Sequence, residues 1–84
     1  MRQLLMSLLV AAAAGCGSGA KDTVIPISQV PEGLMKVARS TLPDVKFDQA
    51  VIKRDGVYEI RGKAKNGKVR EVEVSPSGEV VAVE

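Results

Sequence analysis

Pro43 divides the sequence into two parts that differ in the period of their apolar residues. Beyond Pro43, apolar and polar residues alternate with a period of two, the period of strands that bury one face. Three short segments rich in glycine, aspartate, asparagine and serine interrupt the alternation, as hairpin turns do. The pattern predicts an antiparallel meander of four strands, over residues 45–54, 57–65, 68–74 and 79–83.

The turn of the first hairpin predicts the register of its strands. Asp55-Gly56 is a favoured dipeptide for a two-residue hairpin loop. Residues that lie directly opposite each other across such a hairpin share one face of the sheet. The loop predicts the pairs Val51 with Ile60 and Phe47 with Ala64 on one face, and Asp48 with Lys63 on the other. The first face is then apolar, and the second carries opposite charges.

The second hairpin requires a different loop. A two-residue loop here would place Ile60 opposite Glu73 and so bury a charge. A three-residue loop over 65–67, with Gly67 in the left-handed region as a bulge, places Ile60 opposite Val72 instead. We therefore predict the bulged loop for the second hairpin.

The segment before Pro43 has the 3.6-residue period of an amphipathic helix. Pro31 and Glu32 suit its first turn, because proline lacks an N–H donor and the helix dipole favours a negative charge there. Pro43 ends the helix at Leu42, because the residue before a proline is driven out of the α region. The apolar stripe of this helix comprises Leu34, Val37, Ala38, Thr41 and Leu42.

Packing this stripe on one face of the sheet gives an α+β fold, one helix on a four-stranded meander with a two-layer core. The inward set of the sheet comprises Phe47, Val51, Tyr58, Ile60, Val72 and Val74. The opposite face, a solvated surface or a polar binding face, carries Asp48, Lys63, Arg61, Glu71, Glu59 and Glu73. Two inward sets stay open for the last strand: Val80 with Ala82, or Val81 with Val83.

The first sixteen residues carry a different signal. Arg2 precedes an apolar run over 4–14, which is too short to span a bilayer and is typical of a cleavable signal helix. The run ends in Ala13-Ala14-Gly15-Cys16, which resembles the lipobox of bacterial lipoproteins. The resemblance implies a signal peptide over 1–15, cleaved after Gly15, and a membrane anchor of acyl chains on Cys16. An ordinary secretory signal, with Cys16 left as a free thiol, is the alternative.

The residues after Cys16 indicate which membrane the protein would be anchored to and what connects the anchor to the domain. Gly17 stands where many inner-membrane lipoproteins of Gram-negative bacteria have aspartate, so the resemblance implies the cell envelope and, in such a host, the outer membrane facing the periplasm. Small and polar residues predict that 16–30 comprises the lipidated cysteine and a flexible linker. Within the linker, 24–27 is an apolar island that can form a short edge segment, because Pro26 excludes a central strand.

Five stretches carry a second resemblance, which covers the domain predicted at 31–84. They are Val30-Pro31, Leu42-Pro43-Asp44-Val45, Gly56-Val57-Tyr58-Glu59-Ile60, Asn66-Gly67-Lys68 with Glu71-Val72-Glu73-Val74, and Ser75-Pro76-Ser77-Gly78-Glu79-Val80. In this order they are similar to a PepSY-type domain, which is related in shape to the β-lactamase-inhibitor-protein-like fold. The resemblance implies a secreted or membrane-tethered domain that binds or restrains other proteins, and it transfers no catalytic residue.

The amino-acid composition argues against a catalytic, metal-binding or nucleic-acid-binding function. Histidine and tryptophan are absent, and Phe47 and Tyr58 are the only aromatic residues. The chain therefore lacks the usual proton shuttle, the commonest metal ligand and a platform for stacking bases. Asp44 and Asp48 are expected to be solvated charges, and the serines of the last turn have no histidine to activate them. We expect no catalysis, cofactor, metal site or nucleic-acid partner.

Three functions agree with these expectations. The first is a module that binds or inhibits another envelope protein, such as a protease, through one of two exposed sheet edges. The second is a structural lipoprotein that serves envelope assembly or integrity. The third is a small-ligand sensor, which a core of this size disfavours because it leaves little room for a pocket of about 300 Å³.

Overall fold

The computed structural model describes residues 21–84. The predicted signal helix, the cleavage residues Ala13, Ala14 and Gly15, and the predicted lipidation site Cys16 lie outside the described residues. The described part combines an α-helix with an antiparallel sheet, which confirms the α+β class. Its elements are β1 (Thr23–Ile25), a 3₁₀ helix (Ile27–Gln29), α1 (Glu32–Thr41), β2 (Val45–Ile52), β3 (Tyr58–Ala64), β4 (Val69–Val74) and β5 (Val80–Val83).

The sheet has five strands, in the order of the chain from β1 to β5, whereas the sequence predicts four. The extra strand is β1, which pairs with the end of β2 so that Val24 lies opposite Val51. The predicted linker therefore does not hold for residues 23–30, which include β1, the 3₁₀ helix and the buried Val30. Pro26 ends β1 after three residues, so the strand lies at the sheet edge, as expected for the apolar island.

All three hairpins of the meander use one loop design. Each loop has three residues, and the last is a glycine with a positive φ of 85° to 97°. In the second hairpin the Gly67 N–H donates to the Ala64 carbonyl at 2.9 Å, which confirms the predicted bulged loop. In the first, the Gly56 N–H donates to the Lys53 carbonyl at 2.8 Å, so the predicted two-residue loop is wrong.

The longer loop shifts the register of the first hairpin by one residue. Ala50, not Val51, lies opposite Ile60 and is fully buried. A β-bulge at Asp48 shifts the register once more, so the partner of Lys63 is Lys46. The predicted pairs Val51 with Ile60, Phe47 with Ala64 and Asp48 with Lys63 are therefore wrong. The second hairpin has the predicted register, with Ile60 opposite Val72 and Tyr58 opposite Val74.

The helix packs its apolar stripe on the sheet, chiefly against β4. Pro31 caps the helix just before its first turn, Glu32 lies within that turn, and the helix ends at Thr41, one residue before the predicted end at Leu42. Leu34, Ala38 and Leu42 are buried as expected. The core comprises Val30, Leu34, Met35, Ala38, Leu42, Val45, Ala50, Ile60, Ala64, Val72 and Val74, with Ile25, Ile27, Val37, Phe47 and Tyr58 packed against it.

Gly62 permits the close contact between β2 and β3 beside the bulge. It is buried and lies opposite Phe47. A Cβ atom at this position would lie 2.0 Å from the carbonyl oxygen of Lys46 and 2.6 Å from the Cα of Phe47. Both contacts are with backbone, which cannot rotate away as a side chain can. Residue 62 must therefore be glycine for the two strands to pair in this way.

We predict that Gly62→Ala lowers the free energy of unfolding by about 1 to 3 kcal/mol, because the added methyl group forces the two backbones apart. Urea unfolding followed by circular dichroism measures the change. Gly33→Ala in α1 is the matched control, since nothing lies within 4 Å of its added Cβ. Alanine favours the helix at that position, so the control should gain up to about 1 kcal/mol. Equal stability of the two variants would contradict the close contact.

Candidate functional site

The free edge of β5 carries three exposed apolar residues. Among residues 21–84, β5 pairs with β4 on one side and with no strand on the other. Its sequence, Val-Val-Ala-Val, contains neither a charge nor a proline, the residues that commonly protect an edge strand from pairing. Val80, Val81 and Val83 are 42%, 52% and 44% exposed. This edge is therefore open to another strand.

The side chains of β5 divide between the two faces in a way that neither predicted inward set describes. Val83 lies opposite the buried Val72, and Val80 lies opposite the buried Val74. Ala82 lies opposite Glu73 on the other face. An irregularity in the pairing near Val74 allows Val80 and Val83 to share a face although they are three residues apart.

The backbone of Val83 points away from β4. Glu71 and Glu84 donate their N–H groups to each other's carbonyls, both at 2.8 Å. Hydrogen-bonded pairs alternate with non-hydrogen-bonded pairs in an antiparallel ladder, so the next pair, Val72 with Val83, is of the second kind. The N–H and C=O of Val83 therefore face the open side of the sheet. The Arg70 guanidinium also donates to the Glu84 carbonyl at 3.1 Å and helps to hold the end of β5 in place.

The opposite edge of the sheet, β1, is less suited to strand addition. β1 has three residues, and Pro26 directly follows them. Val24 is its exposed apolar residue, at 69%. A proline supplies no backbone donor, so a partner strand could not continue past Ile25. The two edges expected from the sequence therefore differ, and β5 is the better candidate.

The face of the sheet opposite the helix carries paired charges. Arg61 forms a salt bridge with Glu71 at 2.6 Å, and Lys53 forms one with Glu73 at 3.4 Å. The Glu59 carboxyl is hydrogen-bonded to Glu71. That hydrogen bond, together with burial and the negative charge of Glu71, raises the pKa of Glu59 from its ordinary 4.5 to about 7. The same hydrogen bond lowers the pKa of Glu71. Glu59 is therefore the protonated partner, and its O–H donates the hydrogen bond to the Glu71 carboxylate.

We predict that the protein becomes less stable as the pH rises from about 5 to about 8. The folded state holds a proton on Glu59 up to about pH 7, whereas the unfolded chain releases it near 4.5. Wherever the folded state binds more protons, the free energy of unfolding falls as the pH rises. The contribution of Glu59 is therefore complete below 4.5 and lost above about 7.

Urea unfolding at a series of pH values tests this dependence. Glu59→Gln should flatten the slope between pH 5 and 8, because it removes the titrating group and keeps a hydrogen-bond donor. Glu79→Gln, at an exposed turn residue, is the control and should leave the slope as it is. A slope that Glu59→Gln does not change would refute the shared proton.

An open groove lies at the end of the sheet where β2 begins and β3 ends. Its volume is about 670 Å³, and its lining comprises Arg39, Pro43, Asp44, Val45, Lys46, Phe47, Lys63, Ala64 and Lys65. The groove lies on the surface and not within the core, so the expectation that the core leaves little room for a pocket did not anticipate it. Sequence reasoning also missed Lys46, since the predicted register gave Lys63 an acidic partner.

The serines considered as catalytic candidates lie in the last turn, and the aspartates lie on the surface. The Ser75 hydroxyl lies 2.9 Å from that of Ser77 and accepts a hydrogen bond from the Glu79 N–H, which closes the last turn. Asp44 and Asp48 are exposed. Within residues 21–84 no three metal-ligating side chains cluster together, and no helix there has the length and apolar character needed to cross a membrane.

Comparison of the whole chain with protein-family models, with curated proteins and with solved structures gives no match.

Proposed function

We propose that this protein is a non-catalytic envelope lipoprotein whose PepSY-like domain binds or inhibits another envelope protein, including a protease, by accepting a strand of that protein on β5. The open edge of β5 is the observation that carries the proposal. Its three exposed valines offer apolar contacts, and Val83 offers an N–H and a C=O that no other strand of residues 21–84 binds. Main-chain hydrogen bonds supply affinity in strand addition, and the side chains supply specificity.

The charges at the ends of β5 favour a partner of different sequence over a second copy of this chain. Glu79 precedes the strand and Glu84 follows it. In the antiparallel register that pairs two β5 strands over their full length, Val80 would lie opposite Val83, and Glu79 would lie opposite Glu84. Like charges in directly opposed positions destabilise a sheet. The preferred partner is therefore an apolar strand with lysine or arginine at its ends.

The lipoprotein part of the proposal is supported by the sequence around Cys16. An apolar run, small residues and the sole cysteine stand in the order that lipoprotein processing requires. Two or more acyl chains would hold the protein at a bilayer, because each buried methylene contributes about 0.8 kcal/mol. In a Gram-negative host the location would be the outer membrane, facing the periplasm.

We predict that Val83→Pro abolishes partner capture by β5, because proline removes the free N–H at the open edge and spares the ladder with β4. A photoreactive amino acid at position 81, in cells that express the full chain, reports contact as a covalent adduct. Val83→Ala is the matched control, since it shortens the side chain but keeps the N–H, and it should retain the adduct.

A second probe at Lys36, an exposed residue of the helix, tests whether the contact is specific. It should give no adduct of the same size. Adducts that persist in Val83→Pro, or that form equally at position 36, would count against strand addition and would favour a structural role in the envelope.

We predict that a labelled fatty acid is incorporated into the wild-type chain and not into Cys16→Ser, because serine offers no sulfur for a thioether. Metabolic labelling followed by immunoprecipitation measures incorporation. Ser18→Ala, two residues away, is the control and should keep the label. Label retained by the serine variant would place the acyl chains elsewhere.

A further inference from the structure

Two lysines lie directly opposite each other where β2 and β3 pair beside the bulge. Lys46 and Lys63 are partners in the register, and both are exposed. Neither has an ion-pair partner among residues 21–84. Like charges in directly opposed positions destabilise a sheet. This pair of residues therefore costs stability that the rest of the described fold does not compensate.

Two neighbouring cations are neutralised by acids. Arg61 lies opposite Glu71 and forms a salt bridge with it, and Lys53 is bonded to Glu73. The sequence predicts Asp48 as the partner of Lys63, but the bulge leaves Asp48 without a partner in this register. The two lysines therefore form a local concentration of unpaired positive charge, which an anion from outside would stabilise.

The open groove brings further positive charge to the same place. Arg39 and Lys65 line it together with the two lysines, and Asp44 is the single acid of the lining. The Arg39 guanidinium also forms a salt bridge with the Glu32 carboxylate, at 2.5 Å. Beneath these charges the groove has apolar walls, formed by Pro43, Val45, Phe47 and Ala64. Phe47 is half-buried against the core and presents part of its ring to the groove.

We infer that this groove binds an acidic peptide segment of a partner protein. Carboxylates of the peptide pair with Lys46 and Lys63, and an aliphatic side chain of the peptide packs on Phe47. The volume of about 670 Å³ lies within the range of about 300 to 1,000 Å³ that is usual for discrete ligands. A bilayer is flat and cannot fill a concave surface of this size, so a peptide is favoured over a lipid surface.

The groove is separate from the β5 edge. It lies on the first half of β2 and the last residues of β3, whereas β5 is separated from β3 by β4. The inference therefore goes beyond the proposed function and does not depend on it. A partner could bind both surfaces, or each surface could bind a different protein.

The test uses the full-length protein in a nonionic detergent and the peptide Glu-Leu-Glu-Leu-Glu-amide, labelled with fluorescein at its N-terminal amine. Fluorescence anisotropy at low salt measures its Kd. We expect the double variant Lys46→Gln and Lys63→Gln to raise the Kd by roughly tenfold or more, because two close charge pairs are lost. The matched double variant Lys21→Gln and Lys36→Gln removes two exposed lysines outside the groove and should leave the Kd unchanged.

Two further arms distinguish the source of the anion. Inorganic phosphate should compete only weakly, because it has no apolar group to pack on Phe47. Phosphatidylglycerol vesicles, tested in detergent-free buffer, should bind the wild-type protein and the Lys46→Gln and Lys63→Gln variant equally, because the proposed acyl anchor and not the groove would hold either one. Vesicle binding that is lost with the two groove lysines would overturn the peptide assignment in favour of a lipid surface.

Stability provides an independent readout. Lys63→Gln alone should raise the urea midpoint of unfolding, because the repulsion with Lys46 is lost. An unchanged Kd in the Lys46→Gln and Lys63→Gln variant, at a midpoint at least equal to wild type, would overturn the inference. Val83→Pro should leave peptide affinity intact, so failure at the groove and failure at β5 can be told apart.

Discussion

The fold depends on three glycines in the left-handed region, one at the end of each hairpin loop. Because side chains alternate between the faces of a strand, each loop decides which residues of two strands enter the core. Gly56, Gly67 and Gly78 each adopt a positive φ, and each forms a bulge as the last residue of its loop. The first two loops bring Ala50, Ile60 and Val72 to one face, where all three are fully buried. In the second hairpin, a loop shorter by one residue would place Glu73 opposite Ile60 and turn a charge inward.

The bulge in β2 links this register to the surface. After the first loop sets the pairing of Ala50 with Ile60, one more residue is inserted at Asp48 before Lys46 and Lys63 pair. The close contact at Gly62 lies beside this point. The core and the charge of the groove therefore have one origin, since the same shift that buries Val45 and Ala64 also brings two lysines together.

Much of the fold follows from the sequence because single residues determine it. Pro43 ends the helix, and the conflict between Ile60 and Glu73 predicts the loop at Gly67. The first loop was predicted wrongly because Asp55-Gly56 also suits a two-residue turn, and no charge conflict argued against that turn. The sequence predicts a linker with only a short edge segment at 24–27, because three residues before a proline carry too little pattern to indicate which strand they pair with.

The surfaces were harder to predict than the core. Charged side chains tolerate either face of a solvated strand, so the sequence alone does not reveal a one-residue shift among them. The groove depends on such a shift, which replaces the predicted pair of Asp48 and Lys63 with two lysines. The exposed edge of β5 was expected in outline, but its two faces depend on an irregularity near Val74 that has no clear signature in the sequence.

The place where the chain joins the sheet has a mechanical consequence. Asp22 accepts a hydrogen bond from the Arg54 N–H at 3.1 Å, and β1 follows with only three residue pairs. Traction on the chain before residue 21 would reach those pairs first and peel them from β2 one after another, beginning at Thr23. Peripheral segments with few contacts open at a lower free energy than a core does. β1 would then detach under tension, while the hairpins of β2 to β5 kept their structure.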